Sequence, residues 1–103
     1  MRTDAFAVLA EPTRRRILEE LRRSDGSVNE LVTVIAINQP AMSKHLKVLR
    51  EAGFVSCRTV AQRRVYRIEP LPFRELDAWL EPYRRLWSIH LDALQRHLDN
   101  EEG

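Results

Sequence analysis

Apolar and polar positions separate most clearly in residues 38–53, which read NQPAMSKHLKVLREAG. Three apolar side chains recur there at i, i+4 and i+7, the spacing of a stripe that a helix buries: Met42, Leu46 and Leu49. Four side chains that favour water lie on the other side, near the start of the segment: Gln39, Ser43, Lys44 and Lys47. Asn38 is suited to cap this helix, Pro40 fits its first turn, and Gly53 ends it. The pattern predicts one short helix with a buried apolar face and a cationic face.

Two helices are predicted at the start of the chain. Residues 4–10 are a short apolar candidate, and residues 13–23 follow with Pro12 at a first helical position. The second helix carries three consecutive arginines, residues 14–16, which either hold phosphates or form a solvated surface.

A turn at residues 24–26 leads into a third helix, which runs to about Ala36. Ser27 can cap this helix, and Glu30, three residues later, completes the pattern of a capping box. Because only residues 37–38 separate the third helix from the next one, the pair is predicted to form a helix-turn-helix.

The pattern changes to that of strands after the fourth helix. Residues 54–60 and 65–68 are rich in β-branched and aromatic side chains, and residues 61–64 (Ala-Gln-Arg-Arg) lie between them. This arrangement predicts a two-stranded hairpin, a wing, with Arg63 and Arg64 at its tip. The tip lacks the Asn-Gly or Gly-Gly pair that favours a two-residue turn, so its geometry is left open.

A helical pattern returns at Pro72 and continues for almost thirty residues. Such a helix would be about 42 Å long, more than the rest of the chain can cover. The excess apolar surface predicts a homodimer through the terminal helices. The expected interface residues are Phe6, Leu9, Leu76, Trp79, Leu80, Tyr83, Trp87, Leu91 and Leu94. Pro82 predicts a kink there, or a break into two helices.

The composition is that of one folded domain, residues 1–103, with 44% hydrophobic and 31% charged residues. Its charge is divided unevenly. Residues 1–70 carry 13 Lys or Arg against 8 Asp or Glu, whereas residues 71–103 carry 4 against 7. The basic part suits a polyanion. We therefore expect residues 11–70 to bind DNA, and residues 1–10 and 71–100 to dimerise.

Several classes of protein are disfavoured by what the sequence lacks. Cys57 is the only cysteine, which excludes an intramolecular disulfide and leaves it a packing residue. The N-terminal apolar stretch is too short and too charged for a signal peptide, and no run approaches the roughly 18 apolar residues of a membrane span. We expect a cytoplasmic protein without membrane contact. No nucleophile–base–acid set or Gly-rich phosphate loop is present, so neither an enzyme nor a cofactor is expected.

The predicted helix-turn-helix and wing indicate double-stranded DNA as the partner, because a short cationic helix fits the major groove. The cations Lys44, Lys47 and Arg50 could instead form a solvated face, but their place in the helix-turn-helix favours DNA contact. His45 either contacts DNA or packs against the neighbouring helix. The alternative function is a protein-interaction module whose basic face meets an acidic protein.

Three strings resemble those of the arsenic-repressor (ArsR-like) family of winged-helix transcription regulators: LAEPTRRRILEELR, SVNELVTVIAINQPAMSKHLKVLREAGFV and RRVYRI. The resemblance covers residues 5–70. It implies a mainly α winged helix-turn-helix with a small β-hairpin, and a homodimeric repressor that leaves its operator when an effector binds. The implied base-reading residues are Gln39, Ser43, Lys44 and His45, with Lys47 nearer a phosphate. The implied wing contacts, to a minor groove or to phosphates, are Arg58, Arg63 and Arg64.

The chain departs from the metal-sensing members of that family. They keep a Cys-rich ELxVCxC string in the third helix, where residues 30–35 read ELVTVI without a thiolate. Residues 79–87 (WLEPYRRLW) resemble a subgroup not known for metal sensing, and no metal site is expected. A second site of the family uses His and acidic residues on paired C-terminal helices. A dimer could imitate it, which leaves a metal-responsive repressor as an alternative, with His90, Asp92, His97 and Glu101.

Overall fold

The computed structural model of the protein describes residues 4–102, in five helices and three strands. The helices are α1 (Ala5–Ala10), α2 (Pro12–Arg23), α3 (Val28–Ile35), α4 (Gln39–Glu51) and α5 (Leu71–Glu102). The strands are β1 (Gly26–Ser27), β2 (Val55–Val60) and β3 (Arg63–Ile68). The chain divides into two units, Met1–Phe73 and Arg74–Gly103. Residues 1–3 of the predicted dimerisation segment lie outside the described residues.

The core of the first unit is built by four helices, two strands and the residue that precedes β2. Its apolar members are at most 6% exposed: Val8, Ile17, Leu18, Leu21, Leu31, Ile35, Met42, Leu46, Leu49, Phe54, Val55 and Tyr66. Phe54 is fully buried and meets the ring of Phe73 edge-on, with centroids 5.1 Å apart. The core therefore contains the whole apolar stripe predicted for the fourth helix.

Each of the four short helices begins at a side chain that caps it. Asp4, Glu11 and Asn38 each accept a hydrogen bond from a backbone N–H two or three residues further on. Ser27 and Glu30 form the predicted capping box, in which each side chain accepts from the backbone N–H of the other residue. These bonds satisfy N–H groups that have no partner inside the helix. The helix starts predicted at Ser27 and Asn38 are confirmed.

Two of the three consecutive arginines of α2 bind the end of α1. Arg14 donates through Nε to the carbonyl of Val8 at 2.8 Å, and Arg15 donates through Nη1 to the carbonyl of Leu9 at 2.7 Å. The last carbonyls of a helix lack internal partners and attract cations. Arg14 and Arg15 therefore fasten α1 to α2, and Arg16 remains exposed.

The strands form a three-stranded antiparallel sheet in the order β1-β3-β2, rather than an isolated hairpin. Strand β1 falls in a segment that the sequence predicted as a turn and a helix cap. It pairs Gly26 with Tyr66 and Ser27 with Val65. This pairing ties the start of α3 to the wing.

The predicted position of the hairpin tip is wrong. Val60 pairs with Arg63, so the turn consists of Ala61 and Gln62 alone. Both turn residues have positive φ, 49° and 68°, as a type I′ turn requires. Arg63 and Arg64 therefore lie inside β3 and, as successive residues of a strand, on opposite faces of the sheet.

Helix α5 is continuous from Leu71 to Glu102. Of the two outcomes predicted at Pro82, the break into two helices is therefore wrong, and the kink stays a prediction. Proline removes the backbone hydrogen bond to the carbonyl four residues earlier. Arg84 donates to the carboxylates of both Asp77 and Glu81, so its side chain bridges the turn that lacks a backbone bond. Ionic hydrogen bonds of this kind favour continuation of the helix.

Nine large apolar side chains of the second unit are between 41% and 65% exposed: Trp79, Leu80, Tyr83, Leu86, Trp87, Ile89, Leu91, Leu94 and Leu98. The rings of Trp79 and Tyr83 lie one turn apart with centroids 4.7 Å from each other. None of the helices between residues 4 and 102 combines the length and the apolar character needed to cross a bilayer.

Candidate nucleic-acid interface

Helix α4 presents two chemically different faces. Its apolar residues Met42, Leu46 and Leu49 are at most 1% exposed. The polar residues predicted for the opposite side are all exposed: Gln39, Ser43, Lys44 and Lys47. Because the buried stripe fixes the rotation of α4 about its axis, this polar face cannot turn inward without exposing the core.

A three-residue turn sets the start of this polar face. Ala36 ends α3 in the left-handed conformation, with φ of 61°, and donates its N–H to the carbonyl of Val32 at 2.9 Å. Asn38 then caps α4. The free N–H groups in the first turn of a helix make its N-terminus attractive to anions such as phosphate.

His45 differs from the other predicted base-reading residues. Its side chain is 22% exposed, and its Nδ1 lies 3.7 Å from Oε2 of Glu11, the cap of α2. Burial raises the pKa of Glu11, but hydrogen bonds from the backbone of Arg14 and Thr13 and the charge of His45 lower it below its ordinary value. His45 therefore faces the neighbouring helix, the second of the two roles that the sequence left open.

Two of the predicted wing arginines, Arg58 and Arg63, are bound to carboxylates. Nη2 of Arg58 lies 3.5 Å from Oδ2 of Asp25. Nη2 of Arg63 donates to Oε1 of Glu30 at 2.5 Å and to the hydroxyl of Ser27 at 3.0 Å. Hydrogen bonds from Ser27, and then the charge of Arg63, lower the pKa of Glu30. Arg63 thus joins the wing to the capping box of α3.

Arg64 belongs to a different site. Together with α4 it lines a cleft of about 330 Å³, which we call the α4–β3 cleft. The polar residues that line this cleft are Gln39, Ser43, Lys47, Arg50, Arg64 and Tyr66.

Arg50 and Tyr66 were not among the predicted site residues. The sequence carried a signal for Arg50, which follows Ser43 by seven residues and Lys47 by three and so shares their helix face. Tyr66 carried no such signal, because its place beside α4 depends on the register of β3 within the sheet.

The described residues, 4–102, contain no group of three or more His, Cys, Asp or Glu side chains that could hold a metal ion. His97 and Glu101 form a pair one turn apart, with Nε2 and Oε1 at 3.0 Å. The alternative metal site across two copies of the chain stays a prediction. Cys57 is a half-buried free thiol on β2.

The geometry of α4 and the wing agrees with two comparisons with known proteins. Residues 11–56 match the family described as bacterial regulatory protein, arsR family. The chain is 36% identical over 97 residues to the HTH-type transcriptional regulator Rv2034 of Mycobacterium tuberculosis, which covers 94% of this chain and 88% of that protein. The chain belongs to the arsR family of bacterial regulatory proteins.

A solved structure and a further curated protein are also similar to this chain. A crystal structure of an ArsR family transcriptional regulator matches with a TM-score of 0.71 at 31% identity, and the match covers 85% of this chain and 97% of that one. The transcriptional repressor SdpR of Bacillus subtilis is 26% identical over 77 residues, 75% of this chain and 86% of that protein. The predicted winged helix-turn-helix transcriptional regulator is confirmed.

The residues that match the arsR family run from the cap of α2 to the second residue of β2, so they contain the whole helix-turn-helix. The family description and the names of the relatives place the protein among transcriptional regulators.

Proposed function

We propose that two copies of the protein bind an inverted-repeat operator in double-stranded DNA and repress transcription there. The observation that carries this proposal is the exposed polar face of α4, held outward by three side chains that are at most 1% exposed. A helix presented in this way fits a major groove about 12 Å wide, where hydrogen-bond donors and acceptors distinguish all four base pairs.

On α4, Gln39, Ser43 and Lys44 lie in the first two turns, where a helix entering the groove contacts base edges. Lys47, one turn after Ser43, faces a phosphate. His45 acts less directly than these residues, since it lies between α4 and Glu11 and fixes the position of α4.

On the wing, Arg58, Arg63 and Arg64 contact the phosphate backbone or the edge of a minor groove. Arg58 and Arg63 are bound to Asp25 and Glu30, so each exchanges its carboxylate for a phosphate when DNA binds. These contacts strengthen binding to any sequence and make it depend on salt.

Dimerisation through α1 and α5 supplies the second copy of α4. Seven of the nine predicted interface residues are exposed, and Leu9 and Leu76 are half-buried. A second copy removes this apolar surface from water, which is favourable. A two-fold axis then presents two α4 helices to successive major grooves, about 34 Å apart, and calls for an inverted-repeat site. Repression is supported by the name of the related transcriptional repressor from Bacillus subtilis.

Base reading is tested by titrating the full-length protein against a duplex recovered by genome-wide capture and against a scrambled duplex. Ser43→Ala should lower the ratio of the two affinities about tenfold, because it removes a hydrogen bond to a base edge. Ser24→Ala, an exposed serine at the end of α2, is the matched control and should leave the ratio unchanged.

Phosphate contact gives a different signature in the same titrations. Lys47→Gln should weaken binding to both duplexes equally and lower the slope of log affinity against log salt by about one. Identical behaviour of Ser43→Ala and Lys47→Gln would contradict the assigned roles. Failure to retard any captured duplex at about 50 mM salt, where phosphate contacts are strong, would favour a module that binds an acidic protein. Sedimentation as a single chain at micromolar concentration would contradict the dimer.

A further inference from the structure

The arginines of the wing sort by the face of the sheet on which they lie. Arg58, Arg63 and Arg67 share one face, and each lies within 4.0 Å of a carboxylate. Their partners are Asp25 at 3.5 Å, Glu30 at 2.5 Å and Glu69 at 3.7 Å. Each cation on this face is thus largely neutralised within the protein.

The opposite face carries cations of another kind. Arg64 lies on it and lines the α4–β3 cleft, as does Arg50 from the last turn of α4. Among the side chains that the structure describes, no carboxylate lies within 4.0 Å of either guanidinium group, and the side chains that line the cleft include no acid. Lys47, the third cation of the cleft, has Glu51 at 4.0 Å as a neighbour on the helix surface. Uncompensated positive charge therefore converges on one concave surface.

A neutral side chain, Tyr66, lines the same cleft as the two arginines. Tyr66 is 6% exposed, and the charges of Arg64 and Arg50 both act on its hydroxyl. Burial, and then the neighbouring Cys57, raise the pKa of Tyr66 above its ordinary value, although the two arginines lower it in part. The hydroxyl accordingly keeps its proton at neutral pH. Tyr66 and Arg64 both hydrogen-bond with the thiol of Cys57, so a phosphate in the cleft would replace a neutral thiol as their partner.

We propose that the α4–β3 cleft binds a phosphate group, held by the guanidinium groups of Arg50 and Arg64 and by the hydroxyl of Tyr66. Two planar guanidinium groups match the oxygens of a phosphate, and charged hydrogen bonds of this kind are the strong ones. The inference rests on the proposed function in one respect: a phosphodiester of bound DNA is the expected source of the phosphate. A free phosphate ion or monoester offers the same chemistry, and experiment separates the two sources.

The position of the cleft favours the DNA backbone. Its lining includes Gln39 and Ser43, the residues proposed to read bases, so a strand whose base edges meet α4 passes its phosphates over the same face. The cleft is also lined by both α4 and the wing, the two elements proposed to contact DNA. A phosphate held there fixes the register of α4 in the major groove.

The DNA arm of the test uses the full-length protein and the captured duplex. Arg50→Gln and Tyr66→Phe should each weaken binding about tenfold, as expected for the loss of a charge-assisted hydrogen bond. Arg50→Gln should also lower the salt slope by about one. Arg67→Gln is the matched control, an exposed arginine on the other face that is bound to Glu69, and should change the affinity less than twofold. Thermal unfolding of each variant separates a binding defect from misfolding.

The second arm uses inorganic phosphate without DNA and follows the arginine Nε–Hε signals by NMR. Saturable shifts of Arg50 and Arg64 at millimolar phosphate, absent in matched chloride and lost in Tyr66→Phe, support a free phosphate as an occupant. Three results together would overturn the proposal. The wild type binds DNA, Arg50→Gln and Tyr66→Phe bind it as tightly as Arg67→Gln does, and phosphate shifts neither the Arg50 nor the Arg64 signal. Normal base preference in that case leaves the proposed function standing. If the wild type binds no duplex, the proposed function fails. The phosphate titration alone then tests whether the α4–β3 cleft binds a phosphate group.

Discussion

The two units of the protein treat their apolar side chains in opposite ways. In the first unit Ile17, Met42 and Phe54 have no exposed surface, whereas in the second Trp87 and Ile89 are more than 60% exposed. The first unit therefore gains its stability from contacts within one chain, which remove apolar surface from water. The 32-residue helix α5 is about 48 Å long, and contacts within the same chain leave its large apolar side chains in water.

This difference predicts whether a given substitution changes the free energy of unfolding or the association of two copies. The exposed apolar residues predicted to form the interface, among them Trp87, make up the apolar stripe of α5, which we propose as an interaction surface rather than a core. Changes in the first unit should alter the free energy of unfolding, and changes on the apolar stripe of α5 should alter association.

The largest effect is expected for the core of the first unit. Phe54→Ala should lower the free energy of unfolding by about 3–5 kcal/mol, because it leaves a cavity beside Phe73. Ile89→Ala, an exposed apolar residue of α5 outside the predicted interface, should change it by less than about 0.5 kcal/mol. Urea denaturation measures both, and equal losses would contradict the division of the molecule into a buried and an exposed apolar set.

The next effect concerns the apolar stripe of α5. Trp87→Glu should separate the two copies of the proposed dimer, and a single copy that binds one half-site should lose about 100-fold in operator affinity, or about 2.7 kcal/mol. Ile89→Glu places the same charge at an equally exposed position off the stripe and should leave both the sedimentation coefficient and the affinity near those of the wild type. A dimer that survives Trp87→Glu would break the proposed role of this stripe.

A smaller effect is expected where the first unit fixes the start of a helix. Ser27→Ala removes the acceptor for the N–H of Glu30 and a partner of Arg63, and should cost about 1 kcal/mol of stability. Ser24→Ala, an exposed serine three residues earlier, should be neutral. Chemical denaturation of the pair separates the cap from the general effect of removing a serine hydroxyl.

The short helices of the first unit were readable from sequence because their signals are local. The apolar stripe of Met42, Leu46 and Leu49 and the caps at Ser27 and Asn38 involve residues within one or two turns, so spacing alone identifies them. The family resemblance added the winged helix-turn-helix and was confirmed for the same reason, since its strings cover these segments.

The sheet was predicted less well, because strand pairing is not local. Strand β1 has two residues, and it exists because Gly26 and Ser27 pair with residues about forty positions later. The hairpin tip depends on the register that pairs Val60 with Arg63, which moves both arginines from the tip into β3. At Pro82 the loss of a backbone bond suggested a kink or a break, but the helix does not break, and Arg84 bridges that turn through side chains.

The candidate site also has features that depend on local sequence, which were predictable, and features that depend on distant residues, which were not. The outward face of α4 followed from its buried stripe, so the exposure of Gln39 and Ser43 was predictable. The partners of Arg58 and Arg63 were not, because Asp25 and Glu30 approach them only through the fold. Tyr66 entered the site for the same reason, because the fold places β3 and α4 around one cleft.

Acid should weaken the first unit partly through Glu30. Hydrogen bonds from Ser27 lower its pKa below the ordinary 4.5, so its contribution to stability is fully present above that value and is lost as pH falls through the lowered pKa. Glu30→Gln keeps the shape of the capping box and removes the charge. The variant should be less stable than the wild type at pH 7, and the two should converge as pH falls below the lowered pKa of Glu30. A constant gap between them in denaturation curves would contradict a role for the charge.

The smallest effect is a gain in stability at the tip of the wing. Ala61 and Gln62 both have positive φ, a conformation that costs free energy for any residue with a Cβ. Asn-Gly is the pair that this turn type favours, so Ala61→Asn with Gln62→Gly should stabilise the first unit by about 0.5–1 kcal/mol. The same pair at Thr59 and Val60, inside β2, should destabilise it, since glycine weakens a strand. Because the turn lies beyond the pairs that hold Arg63 and Arg64, operator affinity should stay within twofold of the wild type. A large loss of affinity would show that the tip itself contacts DNA.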